Sequence, residues 1–147
     1  FAHDDEVGTW LREHWEPEEL QHGRALRAYV EHVWPEFDWD AAYADFFGDY
    51  ARLCTLEDLE PTCGQELAAR CIVEMGTTTY YQALNAACAE PVLRDLTWRI
   101  RSDEVQHYKN FHAFFRKYRE IEGLHRGHGF PPNPAQLRIA VQEHEET

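Results

Sequence analysis

No stretch of this chain approaches the ~18 consecutive apolar residues that a membrane-crossing helix needs. Its beginning shows no basic start followed by an apolar core, so no secretory signal is expected. Positive charge is scarce: 14 Lys and Arg stand against 27 Asp and Glu, for a formal net charge of −13. That balance disfavours nucleic acid and anionic lipid as partners. Cysteine occurs four times, at 54, 63, 71 and 88, and never as a C-x-x-C pair. A paired-thiolate zinc or iron module is thereby excluded, and free, mostly buried thiols in a reducing cytoplasm are the expectation. Alternating strand patterns and long internal repeats are missing too.

What remains is helical. With 147 residues, 44% hydrophobic and 14% aromatic, the chain suffices for one domain with a real core. The periodicity predicts helices over about Asp5–Val33, Phe37–Cys54, Thr62–Cys88 and Pro91–Ile121. Pro35, Pro61 and Pro91 stand at the joints, where proline is tolerated. Pro17 falls inside the first helix and removes a backbone donor, so a kink is expected there. The all-α domain, an up-down antiparallel four-helix bundle, is expected over residues 1–123. Beyond Gly123 the Gly and Pro content predicts an extended or poorly ordered tail over 124–147, with a short helical piece near Leu137–Glu143.

The inward stripes carry the chemistry. On the last helix, alternating steps of four and three read Leu93, Thr97, Ile100, Glu104, His107, Phe111, Phe114, Tyr118, Ile121. One glutamate and one histidine interrupt an otherwise nearly apolar seam. The first helix repeats the pattern with Trp15, Glu19, His22, Leu26, Tyr29 and Val33, and the third places Glu74 alone between Cys71 and Thr78. A buried carboxylate without a partner costs several kcal/mol, on the order of 2–7 even when uncharged. Five such groups on three seams call for one explanation, and a cation cluster supplies it. Residues three apart on a helix point the same way, so each Glu-x-x-His offers an oxygen and a nitrogen ligand. Carboxylates with imidazole suit non-haem iron or manganese.

The spacing alone is weak evidence, because 18 Glu and 9 His yield about one Glu-x-x-His by chance. Three occur. Glu122 to His125 contains Gly123 and lies on no seam, which is how a chance match looks. The other two share their surroundings: Glu18-Glu19-Leu20-Gln21-His22 and Asp103-Glu104-Val105-Gln106-His107. This doubling predicts a pseudo-twofold site. A ligating histidine usually donates its other ring N–H to a carboxylate, so Asp103 is expected on His22 and Glu18 on His107. With no metal bound, the facing carboxylates are expected to raise one another's pKa values.

These residues resemble the ferritin-like di-iron carboxylate superfamily, nearest its soluble acyl-carrier-protein desaturase and ribonucleotide reductase branch. Trp15-Glu16-Pro17-Glu18-Glu19-Leu20-Gln21-His22-Gly23 is similar to the desaturase pattern W-x-x-E-E-x-x-H-G, and Asp103-Glu104-x-x-His107 resembles its D-E-x-x-H. Glu74 followed by Thr77 fits the same order. The resemblance covers roughly residues 10 to 120. It implies two iron ions, with manganese as the other metal, held by Glu19, His22, Glu74, Glu104 and His107. Asp103, Glu18 and Thr77 would stand behind them, and no further catalytic residue is singled out. It also implies an oxygen-activating oxidoreductase, an external electron donor, a small-molecule or acyl substrate, and a homodimer. The family's first metal-bearing glutamate has no counterpart ahead of Glu19, so a preceding helix is expected to be missing. A radical tyrosine would have to come from Tyr80, Tyr81 or Tyr108, and a basic patch for an acidic carrier from Arg116, Lys117, Arg119 and Arg126. The competing reading is a non-enzymatic bundle, either metal-binding or purely a structural oligomer.

Overall fold

The computed structural model describes residues 4–53 and 59–124, and every element in them is helical. In chain order these are α1 (Asp5–Trp10), a π-helical turn (Leu11–Trp15), α2 (Glu16–Val33), α3 (Trp39–Leu53), α4 (Cys63–Ala87) and α5 (Pro91–Ile121). The first three run on without a break, and Leu11 O accepts from Glu16 N–H across five residues. The expected disturbance at Pro17 therefore takes the form of a wide turn just ahead of it. A proline interrupts the i→i−4 ladder, and a π turn is one way to re-satisfy the carbonyls it orphans.

Side-chain caps mark the other helix starts. Asp4 accepts from Glu6 and Val7 N–H, Thr62 from Gln65 N–H, and Glu90 from Val92 and Leu93 N–H with Pro91 next in line. The tail after 124, including His125, Arg126 and the Leu137–Glu143 segment, lies outside the described residues, as does Cys54. Cys63, Cys71 and Cys88 are free thiols, with Cys71 buried and the other two half-buried.

Helices α4 and α5 form an antiparallel hairpin. Asn85 donates to Thr97 Oγ1 at 3.1 Å near the connection, and at the far end Gly64 N–H donates to Glu122 Oε2 at 3.0 Å. The α1–α2 rod lies antiparallel to α5. Lys117 and Tyr118 grip Asp4 at one end, while Asp103 meets His22 at the other. Val7, Leu67, Cys71 and Phe111 form the apolar core, with Trp10, Leu11 and Trp15 packed on it. The four-helix count agrees with the sequence, but α3 contributes no buried residue. It is tied to α2 at its start, where Arg27 pairs with Asp40 at 2.9 Å and lies over the Trp39 ring. Its Tyr43, Phe46, Phe47 and Tyr50 are exposed. No helix among the described residues is long and apolar enough to cross a membrane.

Candidate metal centre

The α5 seam is buried without interruption through Thr97, Ile100, Glu104, His107 and Phe111. Glu74 faces it from α4, and Glu19 and His22 face it from α2. Burial is nearly complete: Glu74 and Glu104 are 3% exposed, His107 1% and His22 7%. One ligand atom each from Glu19, Glu74, Glu104 and His107 lies within 4.8 Å of all the others, a group that can hold a metal ion. The three glutamates thus converge as the seams predict. His22 adjoins them, its Nδ1 lying 3.5 Å from Glu104 Oε1 and 3.7 Å from Glu19 Oε2. His107 Nδ1 lies 3.1 Å from Glu19 Oε1 and 3.5 Å from Glu74 Oε2. Glu19 therefore turns one oxygen toward each histidine.

The outer partners cross between helices. His22 Nε2–H donates to Asp103 Oδ2 at 3.0 Å, and His107 Nε2–H donates to Glu18 Oε2 at 2.8 Å. The doubled motif anticipates this exchange, in which each acid serves the histidine of the other motif. The consequence is chemical. With Nε2 engaged outside, both Nδ1 atoms turn into the glutamates, and both are buried with no hydrogen-bond partner among the described residues. A bare Nδ1 lone pair aimed at carboxylate oxygens is repulsive unless a proton or a cation stands between them. The arrangement is one that a divalent ion satisfies.

Two further contacts fix the carboxylates. Thr77 Oγ1–H donates to Glu104 Oε2 at 2.7 Å, while the Trp15 indole N–H donates to Glu74 Oε1 at 3.2 Å. The sequence places Trp15 on the apolar seam and at the head of the W-x-x-E-E-x-x-H-G pattern, and neither position predicts its bond to Glu74. A signal existed: an indole N–H packed in a seam needs an acceptor, and Glu74 is the lone carboxylate on the α4 seam.

Protonation follows from the packing. Burial alone would lower both imidazoles, but the carboxylates around them prevail. His22, facing Glu104, Glu19 and Asp103, and His107, facing Glu19, Glu74 and Glu18, are each pushed up to about 10. Burial works to raise Glu19, yet the two histidines pull it down to about 2. Glu104 is likewise lowered, burial being outweighed by His22, Glu74 and Thr77. Only Glu74 rises, to about 6, where burial together with the neighbouring Glu104 outweighs the pull of His107. The expectation that all the carboxylates rise in the metal-free cluster is therefore corrected: two imidazolium rings balance them.

Other sequence candidates fall away or move outward. Glu122, just past the end of α5, accepts from Gly64 N–H at the start of α4, far from the cluster along the hairpin. Lys117 is taken up by Asp4 at 2.9 Å and Glu6 at 3.0 Å, which removes it from the basic patch. Among the tyrosines, Tyr80 is exposed and Tyr108 stacks on His112. Tyr81 is the one beside the cluster, where burial and then Glu104 push its hydroxyl up to about 12. No protein-family model, no curated protein and no solved structure matches the chain.

Proposed function

We propose that the chain holds two iron ions, with manganese as the other metal these donors suit, and that it activates dioxygen to oxidise a small or lipid-like substrate. Electrons come from an external carrier. The observation that carries this reading is the pair of buried histidines turned inward. Each Nε2 is fixed on an acid outside, and each Nδ1 enters the same three-glutamate group without a hydrogen bond. Two positions follow: His107 with Glu19 and Glu74, and His22 with Glu19 and Glu104. Glu19, with an oxygen toward each histidine, would serve both ions.

Iron bound there supplies electron transfer to dioxygen. The chain's own residues bind, orient and shield. Asp103 and Glu18 set the ring tautomers, Thr77 and Trp15 orient Glu104 and Glu74, and Ile100 and Phe111 close the seam on either side. One histidine and two carboxylates at each position are donors that would hold iron or manganese. The resemblance of Trp15–Gly23 and Asp103–His107 to the soluble desaturases supports the same branch of chemistry. The exposed aromatic face of α3 favours the rival, a metal-binding oligomer without catalysis.

One experiment separates the readings. Ferrous iron is added anaerobically to the full chain, iron per chain is measured after dialysis against a weak chelator, and air is then admitted at an oxygen electrode. The oxidase reading requires about two irons per chain, oxygen consumption and new near-ultraviolet absorption. Iron retained without oxygen uptake means a binding bundle, and no iron retained refutes the centre.

A further inference from the structure

The two halves of the cluster are not equal. Glu74 turns Oε2 toward His107 Nδ1, its Oε1 is held by the Trp15 indole, and it also adjoins Glu104. Glu19 has an oxygen toward each half, so His107 faces one shared and one further carboxylate. His22 faces Glu104 in the same way, with Thr77 on the other oxygen at 2.7 Å, but it stands outside the group of Glu19, Glu74, Glu104 and His107 whose ligand atoms lie within 4.8 Å of one another. Its inward Nδ1 meets the shared Glu19 at 3.7 Å and Glu104 at 3.5 Å, and a ligand atom of Glu104 also belongs to the tight group around His107.

Both outer carboxylates are braced, Glu104 by Thr77 and Glu74 by Trp15, but the His107 half is also walled by aromatic rings. With Oε1 on the indole N–H, the other oxygen of Glu74 is turned toward His107. Trp15 is itself held edge-on against Phe111, with ring centroids 5.9 Å apart at 77°, and Trp10 meets the same ring at 5.0 Å and 90°. Trp10 also lies edge-on to His107, at 6.3 Å. The π turn between the two tryptophans, Leu11–Trp15, lets residues five apart share one face. Preorganised donors bind more tightly than the same donors left to be ordered by the ion.

We propose that the two metal positions fill in order, the closer-set His107–Glu74–Glu19 position first and the His22–Glu104 position second, with Trp15 as the positioning residue of the first. This rests on reading the cluster as a two-metal centre. The indole N–H acts only through Glu74. Removing it frees Oε1, lets the carboxylate rotate, and weakens the first position while leaving the second nearly as it was.

The test is an anaerobic Co²⁺ titration of the full metal-free chain, read by visible d–d absorption and by tryptophan emission. Wild type should show two steps separated by at least about tenfold in Kd, and the first equivalent should produce most of the emission quenching, because Trp15 and Trp10 border that position. Trp15→Phe keeps a ring and removes the N–H; it should weaken the first step by about 10–100-fold and leave the second within about threefold. Trp98→Phe, at a side chain 55% exposed on α5, should change neither. Histidine variants test the order without relying on Trp15: His22→Ala should lose the weak step and keep the tight one, and His107→Ala should lose the tight one. Two equal steps, or a tight step lost with His22 instead, overturn the order. An unchanged first step in Trp15→Phe overturns the role of the indole. Absence of any Co²⁺ binding refutes the two-metal reading itself, and the order with it.

Discussion

Metal binding must displace protons, and the number displaced tests the site directly. At neutral pH both rings carry a proton on the inward side, because their pKa values stand near 10. A histidine ligates only when that nitrogen is bare. At pH 7, about three units below its pKa, each ring costs about 4 kcal/mol to deprotonate, a cost the ion's own charge must offset. Each bound ion should therefore release about one proton, and its apparent Kd should fall about tenfold per pH unit between pH 6.5 and 8.5. Below about pH 6 the dependence should steepen for the His107 position, since Glu74 then holds a proton as well. Calorimetric titration with Mn²⁺ in two buffers of different ionisation enthalpy gives the proton count without assumptions about affinity. About two protons per chain at saturation is the expected result. A count near zero, with Kd independent of pH over the same range, would refute the argument, because it would mean that the inward nitrogens are already bare in the metal-free protein.

The same protonation sets the stability of the metal-free chain. The histidine contributions are complete below the ordinary 6.5 and vanish as pH rises through about 10, that of Glu19 is lost as pH falls from 4.5 toward 2, and that of protonated Glu74 is gone above about 6. Thermal melts should therefore peak between about pH 4.5 and 6 and weaken toward pH 9, by at most about 1.4 kcal/mol per pH unit per histidine; a melting temperature that rises over pH 6–9 would contradict this. Asp103→Asn should weaken the His22 position by about 10–100-fold, and Glu18→Gln the His107 position by a similar factor, each leaving stoichiometry at saturation unchanged in equilibrium dialysis. At the hairpin's end, a Cβ on Gly64 would stand 2.7 Å from Glu122 Oε2 and from Leu124 Cδ1. Gly64→Ala should then displace Glu122 from the Gly64 N–H and cost about 1 kcal/mol in denaturant unfolding, while Gly64→Ala and Glu122→Ala both retain full metal content.

Much of this centre could be read along single helices, because steps of four and three report which residues share a face. Glu104 and His107 on α5, and Glu74 on α4, stand out as polar breaks in seams that are otherwise buried. The exchange of Asp103 and Glu18 between histidines was legible for a different reason: a motif written twice implies a site with two related halves. Helix ends were legible where a capping side chain and a proline agree, as at Glu90 and Pro91. The illegible parts depend on relations between helices or on departures from the helical period. The apolar and acidic residues of α3 predict a packed helix, yet a helix buries a face only if another surface meets it, and no single-helix pattern says whether one does. The protonation pattern was misjudged because the seams show acids converging but not the inward turn of two rings whose charge balances them. The π turn is the clearest case. Residues five apart on an α-helix point about 140° away from each other, so a 3.6-residue period cannot place Trp10 and Trp15 together. One wider turn puts both on Phe111 and aims the Trp15 indole at Glu74. The proline that follows weakens the regular ladder there and makes the wider turn available. The residue first read as a kink thus belongs to the same device that orients a carboxylate in the centre.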